Sequence, residues 1–139
     1  KVSNNGIIFK DFAHSPSKVR ASTNAVAEQY PNYKTIAVLE LHTFSSLKKD
    51  FLPEYAHALD GADVPIVFVN PETLKRKGDI SFTESEIRIF FQNEALEFIN
   101  DPEQLKRRIE TLGIDENALL MMSSGDYGGV DFEKLFAQW

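Results

Sequence analysis

The chain has no cysteine among its 139 residues. That excludes a disulfide framework, a zinc–thiolate site and a thiol nucleophile, and it fits a cytoplasmic protein. Positive charge is also scarce: 15 basic side chains face 21 acidic ones, a net charge of −6. With Lys and Arg scattered, nothing here suits a binder of nucleic-acid phosphates. Long apolar runs are missing too. The longest, Val64 to Val69, is strand-sized and interrupted by Pro65. A spanning helix needs about 20 apolar residues, so no membrane partner is expected. The start carries no signal-peptide pattern and no methionine, and Lys1 in first place reads as an excised fragment of something longer.

What is present suits a single folded domain. Apolar residues make up 42%, aromatics 12%, and 11 residues are Phe, enough to fill a core. No internal repeat, low-complexity tract or interdomain linker interrupts the chain.

Strand-like runs alternate with helix-like stretches. Gly6 to Phe12 is rich in β-branched and aromatic residues and reads as a strand. Ser15-Pro16 then resembles an N-cap with proline at the first helical position, and Val19, Thr23, Val26 and Tyr30 follow at helical spacing. Thr35 to Leu41 is apolar on both faces, as in a central strand covered on both sides. Ser46 to Leu59 is expected to be helical with a break at Pro53. Val64 to Val69 is a third strand. Asn70 to Ser81, with Pro71, Gly78 and a basic cluster, reads as an exposed loop with at most a short turn. Thr83 and Glu86 have capping-box spacing for a short helix to Phe91, and Ala95 to Ile99 follows as a short strand. Asp101-Pro102 opens a helix closed by Gly113, Ala118 to Met122 is the last strand, and Phe132, Leu135, Phe136 and Trp139 mark one face of a final helix. This alternation predicts an α/β fold of three αβα layers, Rossmann-like, around a mostly parallel sheet.

In such sheets ligands bind beyond the carboxyl ends of the strands. Polar residues concentrate after three predicted strands: Asp11-Phe12-Ala13-His14-Ser15-Pro16, Glu40-Leu41-His42-Thr43-Phe44-Ser45-Ser46 and Ser123-Ser124-Gly125-Asp126-Tyr127-Gly128-Gly129. Asp11 can accept ribose hydroxyls, and His14 near a helix N-terminus can meet a phosphate or base. Equally, Asp11 can serve its own loop while His14 packs at the helix entry. The second loop is rich in donors, with Glu40 its one fixed charge, although Ser45 or Ser46 can be a plain N-cap. His57 reads as a surface or boundary residue. The glycines of the third loop allow close backbone approach, but they form neither a dinucleotide fingerprint nor a phosphate loop. Neither a catalytic triad, a carboxylate pair nor a metal-ligand spacing is present, so no catalytic or metal-binding residue is assigned.

Together the three loops resemble the C-terminal domain of the Mur ligases, the ATP-dependent amide-bond formers of peptidoglycan synthesis and recycling. Asp11 to Pro16 is similar to their D-[YF]-[AG]-H-x-P signature. Glu40 to Ser45 sits where the alanine-adding members carry Q-P-H-R-[FY]-T, and Ser123 to Gly129 is similar to the S-N-G-G-F-G-G loop of the murein peptide branch. The resemblance covers nearly the whole chain. It implies a six-stranded sheet of order 1-2-6-3-4-5 with strand 1 antiparallel at Lys1 to Ser3. It also implies a single domain over 1–139, cytoplasmic, cut from a ligase whose N-terminal and central domains hold the UDP-sugar, ATP and magnesium. Expected partners are ATP, UDP-N-acetylmuramate and an amino-acid or peptide amine.

By motif match, Asp11 and His14 would meet the nucleotide. Phe12, His42, Thr43, Ser45, Ser46, Ser124, Gly125, Asp126 and Tyr127 would line the amine pocket. The chain departs from the alanine-adding pattern at Ser15, where a second His stands, and at Thr43 and Ser46, where two Arg stand. Losing two guanidiniums changes which carboxylates the pocket reads. The resemblance therefore favours the murein peptide branch, which joins L-alanyl-γ-D-glutamyl-meso-diaminopimelate to UDP-N-acetylmuramate. The isolated domain is expected to be inactive. The alternatives are a stand-alone nucleotide-binding domain, which lacks its GxGxxG after Ile8-Phe9, and a flavodoxin-like signalling receiver. The receiver needs an acidic pair where only Asp11 stands.

Overall fold

The computed structural model describes residues 6–42, 47–76 and 81–139. Its five strands are β1 (Ile7–Asp11), β2 (Lys34–Glu40), β3 (Val64–Phe68), β4 (Glu97–Ile99) and β5 (Asn117–Met122). They form one sheet of order β1-β5-β2-β3-β4, every pair parallel. The sheet thus has five strands among the described residues, not six. Its order differs from the expected 1-2-6-3-4-5 by the outer antiparallel strand, and Lys1 to Ser3 lie outside the described residues.

Parallel strands need crossovers, and helices supply them on both faces. On one face α1 (Pro16–Gln29) presents Val19 and Val26, and α3 (Glu84–Phe91) presents Ile87 and Phe91, to Ala37, Leu39, Val67 and Leu120. On the other, α4 (Pro102–Leu112) presents Leu105 and Ile109, and α5 (Phe132–Ala137) presents Phe132, Leu135 and Phe136, to Val38, Ile66, Phe68 and Met121. Because both faces are covered, β3 and β5 are buried at every position and β2 at all but its first.

Local chemistry sets the helix ends. Thr83 Oγ1 accepts from Glu86 N at 3.1 Å while Glu86 Oε1 accepts from Thr83 N at 3.1 Å, the capping box that the spacing predicts. Asp101 caps α4 through Glu103 N, and Gly113 closes it at φ 71°. Ser15 sits at the N-cap of α1 in extended conformation, but its side chain makes no capping bond.

Two expectations are corrected. The described part of Ser46 to Leu59 is not an α-helix; it holds a 3-10 turn over Leu52–Tyr55, with Pro53 at its start, followed by turns. Proline is compatible with a first turn and not with a helix interior. Residues 70–81 are not all loop, because Pro71–Arg76 forms a short helix, α2. Asn70 Oδ1 accepts from Glu72 N and Pro71 stands in the first turn, so the residues that suggested a loop start a helix. Leu74 and Thr73 are buried on it.

Candidate functional site at the carboxyl edge of the sheet

Strand order brings three loops together. In register, Met122 of β5 stands opposite both Asp11 of β1 and Leu39 of β2, so the three strands end side by side. The loops singled out from the sequence therefore leave one edge of the sheet.

Asp11 ends β1. Its Oδ1 accepts from Ala13 N at 2.9 Å and its Oδ2 from Ser22 Oγ of α1 at 2.7 Å, which pins the turn to the helix. The next residue, Phe12, is 83% exposed, an aromatic ring the core does not use. His14 Nδ1 lies 2.8 Å from the Phe12 carbonyl; since a carbonyl only accepts, Nδ1 donates, and in the neutral ring Nε2 is the acceptor. The His14 carbonyl in turn accepts from the buried Tyr55 phenol, whose pKa burial pushes up to about 12.

Glu40 is the organising residue. It ends β2 at 1% exposure. Its Oε1 accepts from Ser123 Oγ at 2.5 Å and from Tyr127 N at 3.0 Å, and its Oε2 lies 4.0 Å from His42 Nδ1. Ser123 Oγ also accepts from Gly125 N at 2.7 Å. The loop after β5 is thus tied to the end of β2 by a relay of hydrogen bonds. Tyr127 holds φ 55°, and its phenol is pushed well above its usual pKa by burial and then by the neighbouring Glu40. Gly128, at φ 71°, runs so near Pro102 that a methyl group there would stand 2.7 Å from the proline Cγ.

Beside these loops lies a cleft of about 330 Å³. Phe12, Met121, Tyr127, Val130, Phe132 and Phe136 form its apolar part. Asp11, Asp126 and Asp131 add carboxylates, and Lys10 pairs with Glu133 nearby. Such a cleft can hold an apolar or ring-shaped group while its carboxylates accept from hydroxyl or ammonium donors.

Of the residues expected at the site, Asp11, Phe12, Gly125, Asp126 and Tyr127 line the cleft. His14, His42 and Ser124 do not line it; His42 packs against Gly125, and Ser124 is exposed. Thr43, Ser45 and Ser46 lie outside the described residues. Sequence reasoning passed over the apolar wall from Val130 to Phe136 and the structural weight of Glu40. A lone acidic residue ending an otherwise apolar central strand was the available signal for Glu40.

The fold and the cleft define a doubly covered, parallel α/β domain with a cleft at the strand ends, where the strand order departs from sequence order. Residues 1–125 match the family model described as Mur ligase, glutamate ligase domain, and the chain belongs to that family. UDP-N-acetylmuramate–L-alanine ligases are among its curated relatives. That of Chlorobium phaeobacteroides strain BS1 is 33% identical over 124 residues, covering 86% of this chain and 26% of the relative. That of Streptococcus equi strain 4047 is 43% identical over 63 residues, 45% of this chain and 14% of the relative. Where the alignment spans most of the chain, it covers about a quarter of the curated relative's length.

Two solved structures share the fold. A domain ascribed to a UDP-N-acetylmuramate:L-alanyl-γ-D-glutamyl-meso-diaminopimelate ligase of Haemophilus ducreyi superposes with TM-score 0.65 at 24% identity, covering 100% of this chain and 98% of that one. A murein peptide ligase of Psychrobacter arcticus gives TM-score 0.61 at 16% identity, covering 98% of this chain and 28% of that one.

Proposed function

We propose that this chain is the domain of a cytoplasmic peptidoglycan ligase that receives the amine substrate and closes over the nucleotide. The observation that carries the reading is that the three strands end side by side, with the loops after β1 and β5 lining one cleft. Family membership supplies the reaction class. The carboxylate of UDP-N-acetylmuramate attacks the γ-phosphorus of ATP and ADP leaves. The amine nitrogen then attacks the acyl carbon, the C–O bond to phosphate breaks, and the amine gives up a proton.

In this reading the chain binds and orients. Asp11 accepts from the ribose hydroxyls, with its turn already fixed by Ala13 N and Ser22. His14 offers Nε2 towards the nucleotide or the amine, and Phe12 lends an exposed ring. The loop from Ser124 to Tyr127, with His42, Thr43, Ser45 and Ser46, borders the amine pocket. Closure of such a domain excludes water from an acyl phosphate that would otherwise hydrolyse. Among the described residues no group of three or more His, Cys, Asp or Glu could hold a metal ion. The metal and the ATP phosphates would be held by a central domain of the complete ligase.

The amine we assign is the tripeptide of the murein peptide branch. It is favoured by the third loop and by Thr43 and Ser46 standing where the alanine-adding pattern has arginines. The test is ligation by the complete ligase with UDP-N-acetylmuramate and ATP, comparing L-alanine with the tripeptide. Faster turnover of the tripeptide is expected, and none from the 139-residue chain alone. Robust turnover by the isolated chain would sink the reading.

A further inference from the structure

Glu40 does nothing for the packing of β2 that an apolar residue would not do more cheaply. Burying a carboxylate at 1% exposure is costly unless donors compensate it. Two of its donors come from a single loop: Ser123 Oγ and Tyr127 N converge on the same oxygen, Oε1. On the same side the loop packs against His42, because a methyl group on Gly125 would lie 2.8 Å from the imidazole Cγ and 2.9 Å from Glu40 Oε1. The backbone of the loop is therefore drawn in by the carboxylate until it meets the imidazole beside it. Four residues of this loop, Ser123, Gly125, Asp126 and Tyr127, form part of the cleft wall.

We propose that Glu40 is the positioning residue of the 123–127 loop and, through that loop, sets the shape and selectivity of the amine pocket. The second half rests on the amine-binding reading above. Glu40 touches neither substrate nor nucleotide in this account. It fixes where Gly125 and Asp126 stand, and it does so with a charge because charge-assisted bonds hold geometry more firmly than neutral ones.

The experiment has two readouts. The first is amide hydrogen exchange in the 139-residue chain, followed by NMR. Glu40→Ala is expected to speed exchange at Tyr127 by at least about tenfold while Leu120 in β5 is unchanged. Glu40→Gln keeps an acceptor without the charge, so its effect is smaller. Ser123→Ala, which removes one donor and keeps the carboxylate, serves if Glu40→Ala does not fold. The second readout is steady-state kinetics of the complete ligase with Glu40→Gln. The KM for the amine rises several-fold and the KM for ATP stays within about twofold. Unaltered protection at Tyr127 in the folded variants overturns the proposal, and so does a KM for ATP that rises with that for the amine. If the unmodified complete ligase turns over neither L-alanine nor the tripeptide, the amine reading falls; the exchange result then decides the anchoring role by itself.

Discussion

Gly125 lies directly against His42, with room for a hydrogen and for nothing larger. A methyl group at this position would stand 2.8 Å from the imidazole Cγ and 2.9 Å from Glu40 Oε1. Neither neighbour yields easily: Cγ is the ring atom nearest the backbone, and Oε1 is held by two donors. Gly125→Ala should therefore cost about 1–3 kcal/mol through overpacking. Thermal denaturation checks this, and an unchanged melting temperature would show that the loop moves freely.

Phe12 offers the opposite case. At 83% exposure its ring contributes little burial to folding. Phe12→Ala should leave stability within about 0.5 kcal/mol, as surface changes do. In the complete ligase the same change should raise a substrate KM. If it changes stability and leaves kinetics alone, Phe12 is not at the site.

Asp11 and Ser22 can be separated by substitution. Ser22→Ala removes the bond to Oδ2 and leaves the carboxylate in place. Asp11→Ala removes the group proposed to meet the ribose. The KM for ATP should rise much more in Asp11→Ala than in Ser22→Ala. Equal effects would mean that Asp11 matters only as the fastener of its own turn.

The capping box of α3 should be visible in stability. Thr83→Ala removes an N-cap acceptor and should cost about 1 kcal/mol. Lys49's hydrogen bond, and then the Thr83 backbone, hold the Glu86 carboxyl below its usual value of 4.5. A depressed folded pKa stabilises above the unfolded value and is lost as pH falls through the folded one. Melting temperature followed below pH 4.5 should therefore fall less steeply in Glu86→Gln.

At alkaline pH the sign reverses. Tyr55 sits at about 12 against 10.0 when unfolded, so between these values the native state keeps a proton that the unfolded chain loses. Stability should fall as pH rises across that window and be flat below it as far as Tyr55 is concerned. Denaturant midpoints against pH check this, and Tyr55→Phe should remove its share of the slope.

The sheet and most helices were legible because their signals are local. Apolar runs of strand length, a Thr83–Glu86 spacing and an Asp101-Pro102 start all depend on neighbours in sequence. What was misread depends on distant contacts or on ambiguous residues. Pro71 punctuates a loop or begins a helix with equal ease, and the burial of Leu74 against the core decides for the helix. The part of Glu40 was hidden because its partners, Ser123 and Tyr127, lie 83 and 87 positions away. That Asp11, Phe12 and the Gly125–Tyr127 stretch share one sheet edge was legible because they stand at strand ends, where chain order already suggests exposure.

The placement of β5 between β1 and β2 bears on how the molecule comes into being. During synthesis the first two strands emerge early and have no ladder with each other. They wait for Asn117–Met122, a partner made near the end. Pairings so far apart in sequence form slowly. The cleft wall and its Glu40 anchor can assemble only after that late strand has threaded into the gap. A chain stopped before residue 117 would hold Asp11 and Glu40 but could not bring them to a common edge.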